Sequence, residues 1–154
     1  MRVQAGHAGQ TPPTMRAICL RAPGGPEALF LEEVQTPKIA GGEVLVRVHA
    51  TAITKDELEW PVDRLPATPS YELSGEVVAI TPEIRTLAIG DAVYALSSFD
   101  RDGAAADFVA VPAELLAAKP RSLDHVSSAA IPLSALSAWQ GLSITGIWKR
   151  VSGS

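Results

Sequence analysis

Residues 43–51 read EVLVRVHAT, and the alternation in this stretch decides the fold class. Val44, Val46, Val48 and Ala50 fall on one face, and Leu45, Arg47, His49 and Thr51 on the other. Such a period of two describes a half-buried antiparallel strand with one wet face. Upstream, Ala40-Gly41-Gly42 reads as a hairpin-like turn. Before it lie two further strand-like runs, 15–21 (MRAICLR) and Leu29 to Val34, separated by the strong turn signal Pro23-Gly24-Gly25-Pro26. Downstream, 52–60 (AITKDELEW) loses the alternation and suits a loop with a short helical turn, and Pro61, Pro66 and Pro69 hold an extended segment. Tyr71 to Ile80 is a long apolar run whose Gly75 marks a bulge or a close backbone approach. Gly90-Asp91 turns into a strand through Val93, Tyr94 and Leu96, and Phe108 to Val111 is the last clear strand.

After Pro112 the pattern changes. Ala113 to Ala118 suits one helical turn, stopped at Lys119-Pro120. Asp124 is placed to cap a short helix through Ala130, Pro132 breaks it, and Ser134 to Leu142 forms another. Short strands with Gly/Pro turns, followed by helices, read as a mainly β fold: a small, partly open barrel or curled sheet with a helical exit.

Composition sets the outer limits. The 154 residues suit one domain with a real core, and 47% are hydrophobic. Aromatics make up only 5%, so Val, Ile, Leu and Ala must fill that core. A net charge of -4 with no Lys/Arg stripe argues against nucleic acid as a partner. Cys19 is the only cysteine, which excludes internal disulfides and multi-thiolate zinc sites and suits a reducing, cytoplasmic setting. Ser127 to Trp148 carries no charge, but Pro132, Gln140, Gly141, Gly146 and several Ser/Thr make it a buried or interface surface rather than a membrane span.

Five segments carry a family resemblance: 43–60 (EVLVRVHATAITKDELEW), 69–78 (PSYELSGEVV), 89–94 (IGDAVY), 103–112 (GAAADFVAVP) and 129–142 (AAIPLSALSAWQGL). In order and spacing they resemble the N-terminal GroES-like domain of the medium-chain dehydrogenases/reductases, above all the zinc-independent quinone oxidoreductase and zeta-crystallin branch. Residues 1–14 (MRVQAGHAGQTPPT), polar and Pro-ended, read as a disordered leader; the resemblance implies 15–126 as a GroES-like substrate-binding domain and 127–154 as a helical exit and divergent tail.

Site residues follow from the resemblance position by position. The zinc ligands of the alcohol dehydrogenases fall on Thr54, Tyr71 and, near the third, Ser134. Hydroxyls and a phenol are poor zinc ligands beside thiolate and imidazole. Only eight residues separate Tyr94 from Gly103, leaving no room for a four-cysteine lobe. The resemblance therefore implies no metal, and acceptors needing little polarisation. Thr54 and Tyr71 are the expected catalytic residues: Thr54 anchors a substrate oxygen and Tyr71 donates a hydrogen bond or proton to a developing enolate. Trp60 and Ser134 are expected at the substrate, and Ser137 at the nicotinamide cofactor.

Other polar groups have plainer readings. Asp56, Glu57 and Glu59 look like a solvated carboxylate face, Glu72 like a hydrogen-bonded structural group, and His49 and His125 like isolated surface or strand residues.

A hydride-transfer enzyme needs a strand, a G-x-G-x-x-G/A turn and a helix at the pyrophosphate. No such glycine triplet occurs in these residues, and the resemblance fades after Leu142. The expectation is thus a substrate-binding domain, without its Rossmann domain, from an oxidoreductase whose family reaction is hydride transfer from NADPH to a small quinone, enone or carbonyl. Such a domain would be inactive alone. The alternatives are a stand-alone binding module, as a homodimer or with a nucleotide-binding partner chain, or a non-functional truncated product.

Overall fold

The computed structural model describes residues 11–59 and 64–143. The strands are β1 (Thr14–Leu20), β2 (Leu29–Gln35), β3 (Glu43–Ala52), β4 (Glu72–Ile80), β5 (Ala92–Leu96), β6 (Phe108–Pro112) and β7 (Ala117–Ala118). β1 and β2 form a two-stranded antiparallel sheet, running from Thr14 opposite Gln35 to Leu20 opposite Leu29. The other five lie in the order β6-β3-β4-β5-β7, every pairing antiparallel. Backbone bonds stitch the sheets together, with the Ile18 N–H donating to the Ala105 carbonyl at 2.7 Å and the Leu20 N–H to the Ala67 carbonyl at 2.8 Å. The arrangement is mainly β, as expected, and the barrel is not closed.

An all-aliphatic core follows from the scarcity of aromatics. Val44 and Val46 of β3, Leu73 and Val77 of β4, Val93 of β5 and Val111 of β6 have no measurable exposure. Burying each contributes roughly 1.5–3 kcal/mol. The alternation of β3 holds on that face and fails at one position on the other. Leu45 is buried, not wet, as is its neighbour Ala110 on β6, on the face of the sheet that Ala110 turns to a cleft walled by Met15, Cys19 and Val34 of the two-stranded sheet. The face opens to water at Arg47.

Two bulges bend the β3–β4 ladder. Val78 is the extra residue between the pairs Leu45–Ala79 and Val46–Val77, and His49 is extra between Val48–Gly75 and Ala50–Ser74. Gly75 is required here, since a Cβ on it would lie 2.1 Å from the Arg47 carbonyl oxygen. The reading of Gly75 as a bulge or close approach thus holds in both senses.

The C-terminal third needs three corrections. Residues 113–118 are not one helical turn: Ala113–Leu115 is a 3-10 turn, and Ala117–Ala118 joins the sheet beside β5. A two-residue edge strand is too short to show a period. Helix α1 (His125–Ala129) is capped as expected, the Asp124 side chain accepting from the Ser127 N–H at 2.7 Å. Pro132 does not merely break the chain but opens helix α2 (Pro132–Ser143), because its fixed φ suits a first turn. Finally, His49 and His125 are not isolated; their rings stack with centroids 4.4 Å apart. Among the described residues no helix is long and apolar enough to cross a membrane.

Candidate functional site

The site begins where β3 ends. Thr54 precedes the 3-10 turn Lys55–Glu59, and the Glu57 side chain folds back over it. Glu57 Oε1 accepts from the Thr54 N–H at 3.2 Å and from Thr54 Oγ1 at 3.1 Å, while Oε2 accepts from the Ser70 N–H at 2.9 Å. Glu57 is only 3% exposed, so it is no part of a solvated carboxylate face; Asp56, on that turn, is exposed. Three donors replace the water that the carboxylate gives up on burial. The single hydroxyl proton of Thr54 points at Glu57, so Thr54 presents lone pairs to anything else until that bond opens.

Glu57 reaches across to a tightly held turn. Ser70 has φ 77, a left-handed conformation that a non-glycine residue adopts only when its surroundings enforce it. The Ser70 hydroxyl donates to the Ala52 carbonyl at 2.7 Å and touches the Thr51 hydroxyl. From the other side the Gly103 N–H donates to the Thr68 carbonyl at 2.7 Å, and a Cβ on Gly103 would lie 2.3 Å from the Ser70 carbonyl oxygen.

Tyr71 follows directly and is 2% exposed. Its ring meets Phe99 edge to face at 4.9 Å, and its phenol oxygen accepts from Arg64 Nη2 at 3.4 Å. The same nitrogen donates to the Phe99 carbonyl at 2.6 Å. The phenol hydrogen is left for an acceptor. Glu72, also buried, has the structural role expected of it: its Oε1 accepts from the Leu133 N–H at 2.9 Å, satisfying a free donor in the first turn of α2.

These bonds link the segments that carry some of the expected residues. Thr54 is joined to the Ser70–Tyr71 turn through Glu57, and Glu72 joins that turn to Leu133, next to Ser134. Ser134 and Ser137 are exposed on α2. Trp60 lies outside the described residues. Glu57, Arg64 and Phe99 are the participants that sequence reasoning missed. For Glu57 a signal existed: Thr54-x-x-Glu57 is the spacing of a capping box, in which the acid reaches back to the first N–H.

Two of the positions aligned with zinc ligands, and the glutamate beside them, do not suit a dication. The Thr54 proton is directed at Glu57, the Tyr71 oxygen already faces a guanidinium, and Glu72 Oε1 is held by a backbone N–H. Among the described residues no group of three or more His, Cys, Asp and Glu is placed to hold a metal. Burial first and the nearby Glu32 second push the Cys19 thiol up, which disfavours its thiolate.

The sequence profile of the alcohol dehydrogenase GroES-like domain matches residues 40–121. This chain belongs to that family. The chain is 34% identical, over 90% of its length, to a probable zinc-binding oxidoreductase, mitochondrial, of Arthroderma benhamiae. It is 32% identical, over 85% of the chain, to an NADPH-dependent alkenal/one oxidoreductase, chloroplastic, of Arabidopsis thaliana. The quinone oxidoreductase of Coxiella burnetii superposes with a TM-score of 0.80 over 89% of the chain at 24% identity, a likeness that speaks to the fold. The GroES-like chain spans 43%, 38% and 47% of these three proteins, less than half of each.

Proposed function

We propose that this chain is the substrate-binding part of a zinc-independent, NADPH-dependent reductase acting on a small quinone, enone or other carbonyl. The observation that carries the reading is the Glu57 clamp, which ties Thr54 to the turn bearing Tyr71 within a GroES-like domain. The clamp joins the loop carrying the Thr54 hydroxyl to the residue that precedes Tyr71.

Bound NADPH would supply a hydride to the electrophilic carbon. The chain's own residues deal with the oxygen that gains negative charge. Tyr71 donates its remaining hydrogen to that oxygen, and the Arg64 guanidinium on the phenol steadies the charge left behind. Thr54 sets the substrate's position once its hydroxyl swings from Glu57. Ser134 and Ser137 lie on the exposed side of α2, where Ser137 would meet the nicotinamide end. Among the described residues no glycine-rich turn links a strand to a helix in a pyrophosphate cradle, so the rest of the dinucleotide would rest on further residues or a partner chain. The division of labour also extends the domain reading: 15–126 binds substrate and 127–154 leads out. A reducing, cytoplasmic compartment fits the single buried cysteine.

The test is NADPH consumption with a benzoquinone and with a conjugated enone, using the polypeptide that carries this chain together with a nucleotide-binding domain from a relative. Tyr71→Phe should lower kcat by about 10²-fold or more with little change in KM, the usual weight of a positioned acid. Equal rates for wild type and Tyr71→Phe would overturn the assignment. Binding of either acceptor that leaves the Thr54 and Tyr71 NMR signals unmoved would do the same.

A further inference from the structure

Away from that site, the bulge in β3 pushes His49 out against the first residue of α1. The His49 and His125 rings stack with an interplanar angle of 15°. His125 is also anchored below: its Nδ1 lies 2.8 Å from Ser74 Oγ, and Ser74, fully buried, donates its only hydroxyl proton to the Val93 carbonyl at 3.0 Å. The Ser74 oxygen can therefore only accept from His125, so Nδ1 carries the hydrogen and Nε2 is the free base. Beside the stack, α1 is held by the Asp124 cap and by burial of Ser128 and Ala129 against β3, β4 and β5. It is a five-residue helix, and its buried Ser128 hydroxyl has no hydrogen-bond partner.

We propose that the His49–His125 stack is a pH-sensitive latch, holding α1 on the sheet while at least one ring is neutral and releasing it when both are charged. The charged groups around the pair come from every side. β3 brings Arg47 and β4 brings Glu76, which Arg47 holds at 3.1 Å with His49 Nε2 at 3.9 Å. Asp124 precedes α1, and Lys119 adds a positive charge. β5 contributes no charged side chain, and its Tyr94 lines the groove beneath α2 instead. Glu76 can offset positive charge on the His49 ring. Positive charge on both stacked rings at once repels across 4.4 Å. Burial first, then His49 and Lys119, lower the His125 pKa, outweighing Asp124 and Glu76. The sign follows: a depressed histidine contributes stability above the ordinary value of 6.5 that is lost as pH falls through the folded value. α2 follows α1 after two residues, so release of α1 loosens the entry to α2.

The experiment records amide hydrogen exchange and imidazole NMR titrations on the 154-residue chain between pH 8 and 4.5. Protection of 125–143 relative to β3 and β4 is expected to fall about tenfold or more across that range. His49→Gln should shrink that fall to about threefold or less and raise the His125 titration by about half a unit or more. A protection ratio that stays constant with pH overturns the latch, as does a His125 titration that ignores His49→Gln. Should the variant not fold, the wild-type ratio decides alone.

Discussion

The Glu57 carboxylate binds the Ser70 N–H at 2.9 Å across thirteen residues of sequence, with both residues buried. One acidic group thus ties together the two ends of the β3–β4 connection, just beyond the last ladder pair Ala52–Glu72. Glu57→Ala would strand the Thr54 and Ser70 N–H groups, each unmade bond costing about 1–3 kcal/mol. A loss of about 2–4 kcal/mol in urea unfolding is expected, with Glu57→Gln losing less because it keeps one acceptor oxygen. No loss in Glu57→Ala would show that the carboxylate is not holding the turn.

Gly103 closes the same turn from behind. Its substitution by alanine would place a Cβ 2.3 Å from the Ser70 carbonyl oxygen, and backbone on backbone cannot step aside cheaply. Gly103→Ala should destabilise by about 1–3 kcal/mol, the ordinary range for overpacking. Gly141→Ala, in open space on α2, serves as the control and should be neutral or slightly stabilising.

The acid limb of stability has a separate source. Glu43 is held low by the Ala40 N–H first and then by Arg101, 2.8 Å from its Oε1. A depressed carboxylate contributes stability above its unfolded pKa that vanishes as pH falls through the folded value. Wild type should therefore melt higher than Glu43→Gln at pH 6, and the gap should close below the ordinary carboxylate range. A gap constant from pH 6 to 3 would refute the linkage.

Ser128 buries a hydroxyl with nothing to bond. Ser128→Ala removes that desolvated group at nearly constant volume and should raise stability by about 1 kcal/mol. A loss instead would reveal a partner for the hydroxyl.

On α2, Trp139 is 68% exposed, and Leu136 and Leu142 are exposed as well. A groove of about 360 Å³ runs under this helix, lined by Leu96, Leu115, Ile131 and Trp139. Apolar surface of this kind attracts partners. The isolated chain should self-associate or bind an apolar dye, and Trp139→Ser should reduce both. A monodisperse wild type that leaves the dye dark would contradict this.

Much of the framework was legible because strand periodicity and turn residues are local signals. β1 to β6 fall where alternation and Gly/Pro punctuation place them, and Asp124 caps α1. Leu45 escaped, since whether a strand's second face is wet depends on what another sheet does to it. β7 escaped because two residues carry no period.

By itself the sequence determined an aliphatic, antiparallel domain of the GroES-like family, since composition, turn chemistry and motif order are properties of the chain alone. Only the tertiary structure decided which polar groups meet. Glu57 and Ser70 lie thirteen residues apart, Glu72 and Leu133 sixty-one, and Ser74 and His125 fifty-one. No local propensity records such separations. They are set by the strand register and by the two bulges, which determine where each side chain emerges. A buried carboxylate and a buried hydroxyl then take whatever donors that geometry supplies, because leaving them unpaired away from water costs more than any local preference can offset.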